Sequence, residues 1–158
     1  MSRIVELKLD NETIGTRSAE IEVERHRAIS DLLEENSFVV KDCDGPYKLR
    51  LALQGDRLVM DVNCTSSGKH EEIPLPLSSL KPLIRDYVMI CESFYKTARE
   101  GEAHRLEAID MGRRGIHNEG AETLAEALEN KVTVDKLTAR RLFTLLYVLH
   151  IRSTTTIS

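Results

Sequence analysis

The chain has no tryptophan, only three Phe and four Tyr, and only four prolines in 158 residues. So few aromatics exclude a broad base-stacking surface of the kind that holds single-stranded nucleic acid. Acidic residues outnumber basic ones by 26 to 22, so the phosphate-neutralising excess that dominates nucleic-acid affinity is missing as well. The three cysteines, Cys43, Cys64 and Cys91, are far apart and form no C-x-x-C pair. That spacing predicts reduced thiols, with neither a disulfide framework nor a cysteine zinc site. No apolar run reaches the ~18–20 residues of a membrane span. Met1 to Asp10 alternate like a strand and carry Arg3, Glu6, Lys8 and Asp10, unlike the continuous apolar centre of a secretory leader. These absences lead to the expectation of a cytoplasmic protein with no membrane partner.

What is present is an ordinary globular balance, 41% apolar and 30% charged. A chain of this length buries roughly 68–70% of its unfolded surface and needs no metal or disulfide to hold it together. One α+β domain is expected over 1–152, with a frayed tail at 153–158. Charge is uneven. Residues 1–78 hold ten basic and fifteen acidic groups, and 79–158 hold twelve and eleven.

The first segment, Arg3–Asp10, reads as a half-buried strand with Val5, Leu7 and Leu9 on one face and Ile4 as the exception. Ser18 is placed to cap an amphipathic helix in which Ile21, Ala28, Ile29, Leu32 and Leu33 recur, with Glu20, Glu22, Glu24, Arg25 and Arg27 on the other side. Asn36 is read as its left-handed terminator. A meander follows. Phe38–Val40 is extended; Tyr47, Leu49, Leu51 and Leu53 alternate with polar residues; Leu58, Met60 and Val62 do so again after Gly55-Asp56, a strong hairpin signal. Ile73, Leu75 and Leu77 alternate with Pro74 and Pro76, which confines that strand to a sheet edge.

The second half is helical. Ser78 or Ser79 is expected to cap a helix with Pro82 in its first turn and the face Leu83, Ile84, Tyr87, Val88, Cys91, Phe94, Tyr95 and Ala98, ended by Gly101. A short helix through Leu106 and Ile109 is expected to break at Asp110–Gly120 and restart at Ala121. Asp135 caps a last helix, apolar most of the way round from Leu137 to Leu149 and therefore buried. The fold class expected is α+β: an antiparallel sheet of about four strands, covered on one face by helices, with a helical C-terminal half.

The segment Asp110-Met111-Gly112-Arg113-Arg114-Gly115-Ile116-His117-Asn118-Glu119-Gly120 is the least ordinary text in the chain. As a loop, its glycines would let the backbone approach a ligand, and its two arginines suit carboxylate or phosphate. His117 is of a type that titrates near neutral pH, with Glu119 or Asp110 to orient it, and Asn118 would cap the next helix. The competing reading is a plain helix corner with arginines paired to nearby carboxylates. Neither the G-x-x-x-x-G-K-[ST] nor the strand-borne G-x-G-x-x-G phosphate motif is present. His104 and Glu107, with His117 and Glu119, lack metal-ligand spacing, so no metal and no cofactor is expected. Arg140-Arg141 near a helix start opposes the dipole, so these arginines are expected to answer a carboxylate such as Glu119, Glu122 or Glu126, or else to join the loop arginines around an anion.

Over Ile109–Gly120, and more loosely over Glu20–Phe38, Gly45-Pro46-Tyr47, Asp86–Tyr95 and Thr138–His150, the chain resembles a bacterial family of small proteins of unknown function. The resemblance spans nearly the whole chain and carries no activity, cofactor or site residues with it. The function expected from the residues themselves is a non-catalytic cytosolic protein that binds a partner or a small anionic ligand at Gly112–Gly120. The ligand-binding set is Arg113, Arg114, His117, Asn118, Glu119 and Arg140. Self-association as a homodimer through the Tyr87/Phe94/Tyr95 helix is a further expectation. One alternative is an enzyme for an anionic substrate, with His117 as its acid–base group. Another is a nucleic-acid accessory protein using Arg113, Arg114, Arg140 and Arg141, against which the net charge of −4 counts.

Overall fold

A computed structural model describes residues 2–10 and 19–155. The elements run β1 (Ile4–Leu9), α1 (Ala19–Glu34), β2 (Phe38–Val40), β3 (Tyr47–Gln54), β4 (Arg57–Cys64), β5 (His70–Pro76), α2 (Lys81–Glu100), α3 (Ala103–Leu128), β6 (Val132–Val134) and α4 (Lys136–Thr155). This is an α+β fold. The main sheet has the order β1-β3-β4-β5 and is mostly antiparallel.

The hairpin forms where the alternation places it. Gln54 pairs with Arg57 across Gly55-Asp56, and Leu49, Leu51 and Leu53 register against Val62, Met60 and Leu58. Pro74 and Pro76 lie on β5, which is an edge strand, so their missing N–H groups cost the sheet no ladder bond. Tyr47, Leu49, Leu51, Leu58, Met60, Val62, Ile73 and Leu75 are buried in one core with the helices. Lys48, Arg50, Asn63 and Glu72 face water on the other side.

Three local expectations of the sheet half change. The first strand lies parallel to β3, and its register slips between Ile4 and Glu6. That irregularity turns Ile4 and Leu7 inward and leaves Val5 44% exposed, the reverse of a strict alternation. The second concerns β2, which leaves the main sheet and pairs with β6, a strand too short to show a period. The third is a disulfide between Cys43 and Cys64, where reduced thiols were expected. Cys64 ends β4 opposite Tyr47, and the turn before Tyr47 brings Cys43 back to it, with Cα atoms 6.5 Å apart. Cys91 is free and buried, as a small core residue would be.

The helix ends are closed partly by unexpected groups. Ser18 lies outside the described residues. Asn36 takes no left-handed conformation; its amide donates to the carbonyls of Leu32 and Ile4 and accepts from the Ile4 N–H, tying α1 to β1. Leu80 and not Ser78 or Ser79 precedes α2, and no side chain caps it. Gly101 ends α2 at φ 76° as expected. Asp135 caps α4, its Oδ1 accepting from the Thr138 N–H at 2.9 Å. The apolar stretch of α4 from Leu142 to Leu149 is buried, because α4 packs on α1, α2, α3 and β3 at once, but Leu137, expected in the same buried stretch, is 36% exposed. The helix continues to Thr155.

The largest correction is α3. It is one continuous helix through Asp110–Gly120, where a loop was expected. Two of its three glycines serve packing. A Cβ on Gly112 would stand 2.9 Å from Ile90 Cδ1 of α2, and one on Gly120 would overlap the Phe143 ring of α4. Glycine costs a helix up to about 1 kcal/mol per site, which the close approach of three helices offsets.

Candidate functional site

Once α3 is continuous, its spacing gathers the charged residues. Asp110, Arg113, Arg114 and His117 lie three and four apart, on one side of the helix. Asp110 Oδ1 accepts from Arg113 Nη2 at 2.7 Å and from Nε at 3.2 Å. Its Oδ2 faces Arg114 Nη2 at 2.7 Å. These bonds hold the Asp110 carboxyl below its usual range, the Arg113 hydrogen bond contributing most. The Arg113 guanidinium lies 4.3 Å from the centroid of the Phe94 ring, a stacked cation.

Arg113, Arg114, His117 and Arg140 line one hollow of about 270 Å³ beside Tyr87. Four of the six expected ligand-binding residues therefore converge. Asn118 and Glu119 do not line this hollow. Asn118 sits mid-helix, so it caps nothing; it lines a separate cleft of about 220 Å³ that also reaches Arg140. Glu119 is exposed, and its carbonyl accepts from Thr123 Oγ1.

The two arginines of α4 have different duties. Arg141 Nη1 donates to the Asp31 carbonyl at 2.7 Å and the Glu35 carbonyl at 2.8 Å, closing the C-terminal turn of α1. Arg140 makes no ion pair among the described residues and faces the hollow. Neither arginine answers Glu119, Glu122 or Glu126.

His117 is packed, not solvated. Its ring contacts Tyr87 and Phe143 with centroids 5.3 and 5.4 Å away, and Nε2 lies 2.7 Å from Thr144 Oγ1. The Thr144 hydroxyl also reaches the Arg140 carbonyl at 3.2 Å. Thr144 thus orients the ring, in place of the expected Asp110 or Glu119. Nδ1 is buried with no hydrogen-bond partner among the described residues. Burial first, then the Arg140 and Arg113 charges, push the His117 pKa down to about 4, so the ring is neutral at physiological pH.

Sequence reasoning missed a second set of groups beyond Arg113. The Glu24 carboxylate accepts from the Tyr95 hydroxyl at 3.2 Å. Burial raises the Glu24 pKa, and the Tyr95 bond and the Arg113 and Arg27 charges only partly oppose it. Glu24 lies four residues before Ala28 and eight before Leu32, both buried, and that stripe was the available signal. With Phe94, Tyr95 and Arg113 it lines a groove of about 570 Å³. Tyr87 and Cys91 are buried, so the inner part of the α2 stripe is core; Phe94 and Tyr95 are half-buried at the groove. Glu92 is exposed. Burial raises the Cys91 thiol to about 11, which keeps it protonated. Among the described residues no three His, Cys, Asp or Glu side chains cluster as metal ligands would, and no helix is long and apolar enough to cross a membrane.

Comparison with known proteins follows the same extent as the fold. The profile of an uncharacterised protein family, UPF0262, matches residues 1–152. A UPF0262 protein of Brucella anthropi is 47% identical over 153 residues, covering 96% of this chain and 95% of its own. One from Ruegeria sp. is 47% identical over 156 residues, 95% and 98% of the two chains. One from Paramagnetospirillum magneticum is 50% identical over 137 residues, 86% and 87% of the two. No solved structure matches the chain. The extent of the profile and the level of identity together make the chain a member of the UPF0262 family, which has no known function.

Proposed function

We propose that this protein is a non-catalytic cytosolic binding protein that takes a small anionic ligand in the hollow between α2, α3 and α4. The observation that carries the reading is the convergence of Arg113, Arg114 and Arg140 on one hollow, where Asp110 is the single carboxylate among the described residues paired with any of the three. A phosphate or carboxylate there would meet forked donors in a partly desolvated setting. Binding is favoured over acid–base catalysis because His117, held neutral down to about pH 4, is a poor proton carrier near neutrality. A nucleic-acid role is weakened because Arg141 is committed to the carbonyls of α1.

Inorganic phosphate should raise the melting temperature of the protein, and Arg140→Ala should abolish the rise while Glu119→Ala leaves it. No rise with phosphate, sulfate or pyrophosphate would remove the reading. The cytosolic part is separable. A Cys43–Cys64 bond is what an oxidising compartment favours. Cells quenched in acid, then unfolded and alkylated without reductant, should show all three thiols modified if the protein is cytosolic, and Cys91 alone if it is not.

A further inference from the structure

The anion hollow and the larger groove meet at one side chain. Arg113 lines both the compartment of about 270 Å³ and the groove of about 570 Å³, and the pair fits a ligand with a compact charged end and a larger planar end. The groove offers planar surface in the Phe94 ring and the Arg113 guanidinium stacked on it, and guanidinium planes accept nucleobases on their faces. It also offers a carboxylate. Glu24 is placed by the Tyr95 hydroxyl on Oε2, and Oε1 has no hydrogen-bond partner among the described residues. A carboxylate accepts and never donates, so it selects a ligand edge made of donors. Guanine carries two adjacent N–H donors, N1–H and the 2-amino group, spaced like the two oxygens of a carboxylate. Adenine presents a bare ring nitrogen at the equivalent place, which a carboxylate repels. Apolar Val23 and Ala28 line the same groove, beside the charged Arg27, Asp31 and Arg141, and offer surface to the faces of a base.

We infer that the two compartments form one site for a guanine nucleotide, with phosphate among Arg113, Arg114 and Arg140 and the donor edge of the base on Glu24. The inference rests on the anion-binding reading and adds the base to it.

Calorimetric titration of the full chain with GMP, IMP, AMP and inorganic phosphate tests it. GMP should bind about tenfold more tightly than AMP or phosphate, the effect of a hydrogen bond to a charged group. IMP, which keeps N1–H and lacks the 2-amino group, should fall between. Glu24→Gln should bring GMP down to the level of AMP and leave phosphate binding unchanged, and Arg140→Ala should weaken every ligand. Equal affinities for GMP and AMP with phosphate still bound would overturn the base assignment and leave the anion site standing. Loss of all binding by the wild-type protein would overturn both. The nucleotide ladder needs no variant, so a Glu24→Gln protein that fails to fold does not protect the proposal.

Discussion

In the hairpin, Gly55 has φ +62° and nothing within 4 Å of the place a Cβ would take. In α3, Gly120 has helical backbone, and three atoms of the Phe143 ring would lie within 2.7 Å of that place. The first glycine is present for its backbone and the second for its size. The hairpin needs a left-handed residue because a two-residue turn must match the twist of the strands it joins. The helix needs a missing side chain because α4, packed among α1, α2, α3 and β3, has no room to retreat. The same residue type therefore reports a turn in one half of the molecule and a helix crossing in the other.

The sharpest test of that contrast is Gly120→Ala. The added methyl enters the ring of Phe143, which is fully buried, so neither side can yield cheaply. Overpacking of this kind should cost about 3 kcal/mol in urea denaturation. The gain in helix propensity, about 1 kcal/mol, is too small to reverse it. An unchanged or raised midpoint would break the size argument.

The next effect belongs to the ring packed beside that crossing. His117 titrates at about 4 in the fold against 6.5 when unfolded. Between those values the unfolded chain holds the extra proton, so stability rises with pH across the window and is lost as pH falls from about 6.5 toward 4. The full shift would correspond to about 3 kcal/mol, and partial solvent access reduces it to about 2. His150 is shifted the same way, by burial and then by Arg85 and Lys81, and adds to the acid loss. His117→Gln should flatten most of the pH dependence between pH 6.5 and 4.5 in thermal melts. Phosphate in the hollow should oppose the loss, because it offsets the Arg140 and Arg113 charges that disfavour the imidazolium. A wild-type midpoint independent of pH in this window would show the ring to be solvated.

Gly55→Ala comes third. No neighbour obstructs the methyl, so the whole cost is the left-handed backbone, about 1 kcal/mol. Asn at the same place should recover most of it, since Asn tolerates that conformation. A cost for Ala equal to that at Gly120 would mean that the two glycines are not different in kind.

The contrast also explains what could be read in the sequence. Strand pairing in the hairpin is encoded within Tyr47–Val62 itself: two alternating runs and a Gly-Asp turn fix the register without reference to the rest of the chain. The edge position of β5 follows from Pro74 and Pro76, and the end of α2 from Gly101, both local facts. Continuity of α3 is not local. Gly112 and Gly120 owe their identity to Ile90 and Phe143, each more than twenty residues away, and on sequence alone three glycines close together are what a turn would use. The parallel pairing of β1, the β2–β6 ladder and the Cys43–Cys64 bond are likewise products of distant segments meeting. Within the site, Arg113, Arg114 and His117 were legible as a cluster even when misplaced on a loop, because their spacing serves a helix face as well. Arg140 was legible only as one of a pair, since nothing local separates it from Arg141, which caps α1. Glu24 was hidden among the other acidic residues of α1, although its spacing to Ala28 and Leu32 was in plain view.

The smallest effect decides whether α3 holds a glycine for either reason at its middle. A Cβ on Gly115 would meet nothing within 4 Å, and its backbone is helical, so neither size nor conformation requires glycine there. Gly115→Ala should therefore stabilise the protein, by about 0.7 kcal/mol, through the unfolded entropy that glycine adds. Gly112→Ala is the close comparison. Its methyl would meet Ile90 Cδ1 at 2.9 Å, the far end of a flexible side chain that can turn aside, so the propensity gain and the contact should nearly cancel. Measured together, the three α3 variants should rank Gly115→Ala above wild type, Gly112→Ala near it and Gly120→Ala well below. That order tracks the hardness of the neighbour each methyl meets. If Gly115→Ala were as damaging as Gly120→Ala, the glycines would be acting as hinges, and the continuous α3 that brings Arg113, Arg114 and His117 to one face would not be the state the protein occupies.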